Sequence, residues 1–269
     1  MIDLAEAATA VLATPDPGEK ARKARALAAA WRSGTAQFAA PGQPGTRPAR
    51  PSRPELRMPR DMPRRKAGGS AEKRVALLHA LAHIELNAID LAWDMIARFG
   101  SNDLPREFLD DWVKVGSEEA LHFELLSQRL ADLGAAYGDL PAHDGLWQAA
   151  EDTAHDLLAR LAIVPLVLEA RGLDVTPKMI ADLERFGDIQ SAAVLKIIYR
   201  DEIGHVAIGM RWFTYVAEAR GFDRQEAWRS LVGKHFKGVL KPPFNRAGRD
   251  AAKMPVEFYE SGSDSMNRP

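Results

Sequence analysis

An all-α fold is predicted for this chain, and three observations carry the expectation. Apolar residues recur at spacings of three and four along several long stretches. Those stretches tend to close on glycine, the residue that most easily enters the left-handed backbone conformation at a helix end. No segment shows the sustained two-residue alternation of a half-buried strand.

The elements follow in order. Residues 3–13 and 17–32 are rich in Ala, Leu, Lys, Arg and Glu, which lose little on entering a helix, and are read as two short amphipathic helices. From Gly34 to Gly69 repeated Pro and Gly predict an extended arm instead of a regular element. Between Gln43 and Lys66 the arm carries Arg47, Arg50, Arg53, Arg57, Arg60, Arg64, Arg65 and Lys66 against Glu55 and Asp61, a local excess of +6. It reads either as a linker or strap lying on acidic protein, or as a phosphate-contacting segment. Ser70 is the expected N-cap of a long helix that stops at Gly100. A second is expected from about Leu104 to Gly134, a third from about Leu146 to Gly172, and a fourth from Thr176-Pro177 to Gly221. A shorter helix (RQEAWRSLVGKHF) and a mixed tail close the chain. The expected organisation is thus an N-terminal helical segment (1–33), the arm (34–69), a bundle (70–222), and a C-terminal helix and tail (223–269).

Composition narrows the functions. The 269 residues are 46% hydrophobic and 27% charged, values of an ordinary globular chain. The formal net charge of -1 excludes a molecule that coats nucleic acid with its whole surface. The absence of cysteine excludes disulfides, thiolate zinc sites, Cys-ligated iron–sulfur clusters and cysteine nucleophiles, so any metal must be held by His, Asp or Glu. No uninterrupted apolar run approaches the roughly 18 residues of a membrane span, and the first residues lack the basic start of a signal peptide. A cytoplasmic location without a membrane partner is the expectation.

Four glutamates fall where the helix stripes call for apolar residues. Glu85 interrupts Leu78, Leu81, Ala88 and Ala92; Glu119 interrupts Phe108, Trp112, Val115 and Leu126; Glu169 follows Leu158, Ala162 and Pro165; Glu202 follows Leu195 and Ile198. Buried carboxylates without counter-charges cost several kcal/mol each, so four of them facing one another imply cations between them. Two of the four open a Glu-x-x-His pair, E119-A-L-H122 and E202-I-G-H205, which puts carboxylate and imidazole one turn apart on one face. Glu85 precedes Glu119 by 34 residues and Glu169 precedes Glu202 by 33, as in a duplicated helix pair. One such pair is weak evidence; two at matching distances point to a dimetal site of the kind found in four-helix bundles.

The segments H83-I-E85-L-N-A-I-D-L, E118-E119-A-L-H122-F, L168-E169-A-R-G-L-D-V-T-P and R200-D201-E202-I-G-H205-V-A-I-G resemble an uncharacterised bacterial family of ferritin-like proteins, over roughly residues 70–245. The resemblance implies a ferritin-like four-helix core with Glu85, Glu119, His122, Glu169, Glu202 and His205 as metal ligands. That family is grouped with tRNA hydroxylases of similar fold, which makes a tRNA nucleoside one substrate class and an undefined small molecule the other.

Helix geometry assigns roles within the set. Glu119 and Glu202 are placed to bridge two divalent ions, Glu85 and Glu169 to end-cap them, and His122 and His205 to take one ion each. Iron is preferred and manganese is the alternative, with O2 as co-substrate of an oxidase or hydroxylase. An external electron donor and a homodimer are compatible with this reading. Tyr199, three residues before Glu202, is the candidate to donate to a ligand carboxylate; Asp201, Glu118 and Asp174 are candidates to orient imidazole N–H groups. Pro165 is expected to kink the third helix beside Glu169. His79 and His83 are read as outer-sphere or surface residues, and Trp93 and Trp112 as packing. Two other classes compete with the oxidoreductase: a metal-binding protein for storage or detoxification, and a metal-stabilised interaction module.

Overall fold

In the computed structural model, which describes residues 1–58, 61–62 and 69–260, nearly all regular structure is helical. The helices are α1 (Leu4–Leu12), α2 (Pro17–Arg32), α3 (Ala71–Phe99), α4 (Arg106–Asp132), α5 (Gly145–Asp152), α6 (Leu157–Ile163), α7 (Ala170–Arg185), α8 (Ile189–Ala219), α9 (Arg224–His235) and α10 (Arg246–Ala251). The all-α expectation holds. Two strands not foreseen, β1 (Ile2–Asp3) and β2 (Ala36–Gln37), pair in parallel at the very start of the chain and of the arm. The chain divides into two compact units, Met1–Trp147 with Arg185–Val194, and Gln148–Glu184 with the chain from Leu195 onward.

In the first unit α3 and α4 pack along each other, α2 lies on α4 and α1 on α3. Caps explain where the first two helices begin: Asp3 accepts from Glu6 N at 2.8 Å, and Asp16 accepts from Glu19 N at 2.7 Å just ahead of Pro17. Ser70 stands at the N-cap of α3, but its side chain makes no capping bond. α3 is apolar enough to cross a membrane by length and composition, yet most of that stretch is buried within the protein. Leu78, Leu86, Ile89 and Trp93 of α3 and Phe108, Trp112, Phe123 and Leu126 of α4 are among the buried apolar side chains of this unit.

The arm, where described, is a strap on this unit. Arg50 forms ion pairs with Asp90 and reaches Asn87, Arg47 pairs with Asp144, Ala49 N donates to Leu12 O, and Trp147 Nε1 donates to Thr46 O at 3.0 Å. Arg60, Arg64, Arg65 and Lys66 lie outside the described residues. The strap reading therefore accounts for Arg47 and Arg50, whose charges are neutralised by the protein itself.

In the second unit the sequence misplaces the third and fourth helices. The expected single helix from Leu146 to Gly172 is interrupted after Asp152 and restarts as α6, where Asp156 accepts from the amides of Leu158 and Ala159. Gly172 does not stop a helix and Pro177 does not start one, since both lie inside α7. Pro177 has no N–H for the carbonyl of Leu173 one turn earlier, and Asn245 Nδ2 supplies that carbonyl with a donor at 2.9 Å. The real break is at Gly187, in the Arg185–Val194 stretch of the first unit, and its φ of +79° suits glycine. Asp188 then caps α8 through Ser191 N at 3.1 Å. Pro165 does distort its helix, as expected: Val164–Glu169 is a π-helical turn. The close approach of α8 to that turn needs Gly209, where a Cβ would sit 2.4 Å from Pro165 Cβ.

Candidate metal centre

The first half of the predicted ligand set is assembled on the two straight helices of the first unit. Glu85 comes from α3, and Glu119 and His122 from successive turns of α4. All three are buried, Glu119 and His122 completely so. His122 Nδ1 lies 3.4 Å from Glu85 Oε2 and 3.4 Å from Glu119 Oε2, and one donor atom of each residue falls within 4.8 Å of the others. Burial pushes the Glu85 carboxyl well above the usual carboxylate range and the negative Glu119 pushes it further, while His122 opposes both. A second carboxylate beside a buried one is costly in metal-free protein and favourable around a cation, so the donor set fits a divalent metal ion. Two carboxylates and one imidazole, with no thiolate, suit a hard or borderline ion such as iron or manganese.

One turn before Glu119 the two helices approach closely because position 116 is glycine. A Cβ there would lie 2.8 Å from Trp93 Nε1. Gly116→Ala is therefore expected to displace the fully buried Trp93 and to cost about 1–3 kcal/mol, as overpacking does. Thermal unfolding checks this, and an unchanged midpoint would mean that the indole has room to move.

In the second unit Glu202 and His205 lie one turn apart on α8, with His205 Nδ1 3.6 Å from Glu202 Oε1. His205 is fully buried, and Glu202 is partly so. Glu169 is the last residue of the π-helical turn. Among the described residues neither Glu169 nor His205 belongs to a group of three or more donors as tight as that in the first unit.

Among the supporting residues, Asp174 is engaged otherwise than expected. Asp174 does not orient an imidazole. Its carboxylate accepts from Arg249 Nε at 2.9 Å, from the second Arg249 nitrogen at 2.8 Å and from Asn245 N at 2.9 Å, which ties α10 to α7. The Tyr199 hydroxyl accepts from Asn245 Nδ2 at 2.8 Å. Glu118 lies 3.7 Å from Lys114, and Asp201 accepts from Arg200 at 2.9 Å. Trp93 and Trp112 are buried packing residues.

His79 and His83 are not at the surface; both are buried. They belong to a polar lane that the sequence reading missed, running along α3 through His79, His83, Asn87, Asp90 and Asp94, on the side of the helix roughly opposite Glu85. His79 Nε2 accepts from Gly138 N at 2.9 Å; His83 bonds the Tyr137 hydroxyl at 2.9 Å and His143 O at 3.0 Å. Asp90 takes Lys20 Nζ at 2.6 Å together with Arg50, and Asp94 takes Arg98 at 2.8 Å. The spacing of four, four, three and four was legible in the sequence, but apart from Arg98, four residues after Asp94, the partners come from distant segments and carry no local signal.

His83 gives the lane a pH dependence. Burial lowers its pKa from 6.5 to about 4, so the folded state disfavours the imidazolium. Its contribution is intact above pH 6.5 and is lost as the pH falls toward 4, on the order of 3 kcal/mol in all. The urea midpoint of wild type is expected to drop across that window, and His83→Gln should flatten the drop. Parallel profiles for the two proteins would show that other groups set the acid limit.

The fold and the buried carboxylate–imidazole cluster together define an all-helical protein with a candidate metal centre. The chain belongs to the family described as "Protein of unknown function (DUF455)", which matches residues 13–260. It is similar to an uncharacterized protein of Haemophilus influenzae (strain ATCC 51907 / DSM 11121 / KW20 / Rd), 44% identical over 191 residues, which are 68% of this chain and 66% of the relative. The chain thus covers just under two thirds of that relative's length. No solved structure matches it.

Proposed function

We propose that this chain is a non-haem dimetal oxidoreductase on a ferritin-like bundle. The observation that carries the proposal is the buried Glu85, Glu119 and His122 cluster, whose sequence pattern recurs as Glu169, Glu202 and His205. Taken as one centre, four carboxylates balance two divalent ions, and two neutral imidazoles complete the ligands without altering the charge. In this reading Glu119 and Glu202 would each serve both ions, Glu85 and Glu169 would serve one ion each as terminal carboxylates, and His122 and His205 would be the single-ion ligands. Two adjacent ferrous ions supply, when bound, two electrons for the reduction of O2, which oxidises or hydroxylates a substrate held nearby. The chain's own task is to fix the donors and to keep water away, and the buried Leu78, Phe108, Trp112 and Leu126 beside the first half of the set serve that exclusion. Iron is the first choice and manganese the second. The substrate class is a small molecule or a tRNA nucleoside, with an external electron donor and a cytoplasmic setting.

The test is anaerobic loading with Fe(II) followed by O2 uptake measured with and without reductant. Without reductant the proposal predicts rapid uptake that saturates near the amount needed to oxidise two irons per chain. Absence of uptake under both conditions refutes it. Continued uptake with growth of a mineral core refutes it in favour of storage.

A further inference from the structure

In the first unit a cleft of about 360 Å³ opens between α2 and α4, lined by Arg22, Arg25, Arg32, Ser117 and Glu124. Its α2 wall follows one helical stripe, in which Ala26 and Ala29 are the small residues between the arginines. Arg25 is neutralised by Glu124. The exposed Arg22 and Arg32 side chains have no hydrogen bond or ion pair with any described residue, so two guanidinium groups line the cleft without a protein counter-charge. The acids nearby on α4 are committed elsewhere. Asp110 accepts from Trp31 Nε1 at 2.6 Å and lies 3.7 Å from Arg106, and Glu118 lies 3.7 Å from Lys114.

We propose that this cleft binds a small molecule bearing phosphate, of the size of a diphosphate or a nucleoside diphosphate. Guanidinium groups hold phosphate oxygens through paired N–H donors, and the Ser117 hydroxyl offers a further donor on the opposite wall. With Glu124 included, the lining carries a net formal charge of +2, which the phosphate groups of pyrophosphate or ADP would more than neutralise. The volume lies at the lower end of the roughly 300–1,000 Å³ of small-ligand pockets, which argues for a compact ligand. Arg22 and Arg32 start about 15 Å apart along the helix, so a ligand held by both draws their long side chains toward each other over Ala26 and Ala29. A nucleic-acid backbone is disfavoured, because the lining has three arginines, one of them already paired with Glu124, too short a basic track for a run of phosphates. The site is separate from the Glu85, Glu119 and His122 cluster, and its ligation does not depend on the metal proposal.

Isothermal titration of the full-length protein at low ionic strength with inorganic phosphate, pyrophosphate, ADP and a ten-nucleotide oligouridylate decides the matter. Pyrophosphate or ADP should bind saturably at about one per chain, more tightly than the oligonucleotide. Arg22→Gln with Arg32→Gln should weaken binding about tenfold or more, since each removed guanidinium is a charged contact. Ala26→Glu, which adds a carboxylate to the cleft and leaves every arginine in place, should weaken it as well. Arg229→Gln, an exposed charge change on α9, should leave it unchanged. Circular dichroism of each variant confirms that the helices persist. Absence of saturable binding by wild type overturns the proposal, as does equal weakening by Arg229→Gln or no effect of Ala26→Glu. Tighter binding of the oligonucleotide with a steep salt dependence would reassign the cleft to a nucleic-acid track.

Discussion

Glu119→Ala is expected to leave the protein folded and to abolish stable metal binding. The residue is fully buried and lies against both His122 and Glu85, so its carboxylate is the one donor of the first unit that the proposal assigns to both ions. Loss of a hydrogen-bond partner behind a metal ligand already costs about 10–100-fold in affinity, and loss of a bridging ligand should exceed that. Glu85→Ala, by contrast, should weaken mainly one ion. The metal-free variant should be no less stable than metal-free wild type by more than about 1–2 kcal/mol. The side chain removed is partly responsible for holding the Glu85 carboxyl above its ordinary range. Its loss relieves repulsion above the ordinary carboxylate range, where Glu85 in the fold resists ionisation. Elemental analysis after dialysis, with thermal unfolding of the same samples, checks both halves. A variant that keeps wild-type metal content would remove Glu119 from the site.

The largest stability effect is expected at Asp90. Lys20 is 1% exposed and its ammonium lies 2.6 Å from Asp90, with Arg50 of the arm on the other carboxylate oxygen. Burial lowers the pKa of Lys20, and Asp90 is the main force that opposes this. Asp90→Ala would leave a buried ammonium and a half-buried guanidinium facing each other. Breaking a buried pair from one side costs about 3–5 kcal/mol, which for a chain of this length corresponds to roughly 6–20 °C in Tm. Replacing Lys20, Arg50 and Asp90 together by Met, Met and Leu should recover most of the loss, because no charge is then left buried. If the triple replacement is as unstable as Asp90→Ala, the ionic network itself holds the arm in place. If Asp90→Ala is neutral, water reaches Lys20 and the pair contributes little.

The sequence made the long straight helices legible and the interrupted ones illegible, for physical reasons. α3 is framed by Ser70 and Gly100, and its stripe is long enough to reveal Glu85 as an intruder. Around Gly172 and Pro177 the local residues read as a stop followed by a start, whereas the helix continues because Asn245, some seventy residues away, supplies the carbonyl that Pro177 leaves without a donor. The break at Gly187 was marked by glycine and by the Asp188 cap, but the stronger apparent signal upstream concealed it. Glu85, Glu119 and His122 were legible as a cluster because a carboxylate on an apolar stripe is too costly to bury without a counter-charge. Asp174 was not legible, since its partner Arg249 lies in a tail without periodicity. The lane of His79, His83, Asn87, Asp90 and Asp94 escaped because, apart from the local Asp94–Arg98 pair, its partners are an arm, a loop and an N-terminal helix joined by tertiary contacts.

In the proposed function, buried carboxylates and imidazoles of this chain hold a pair of redox-active ions. Its most direct test is an anaerobic equilibrium titration of the full-length, metal-free protein with Fe(II), read by the ligand-field signal and by metal retained after gel filtration. The account predicts saturation at about two ions per chain in wild type and none retained in Glu119→Ala. Saturation below one ion per chain in wild type, or the same retention in both proteins, would contradict it.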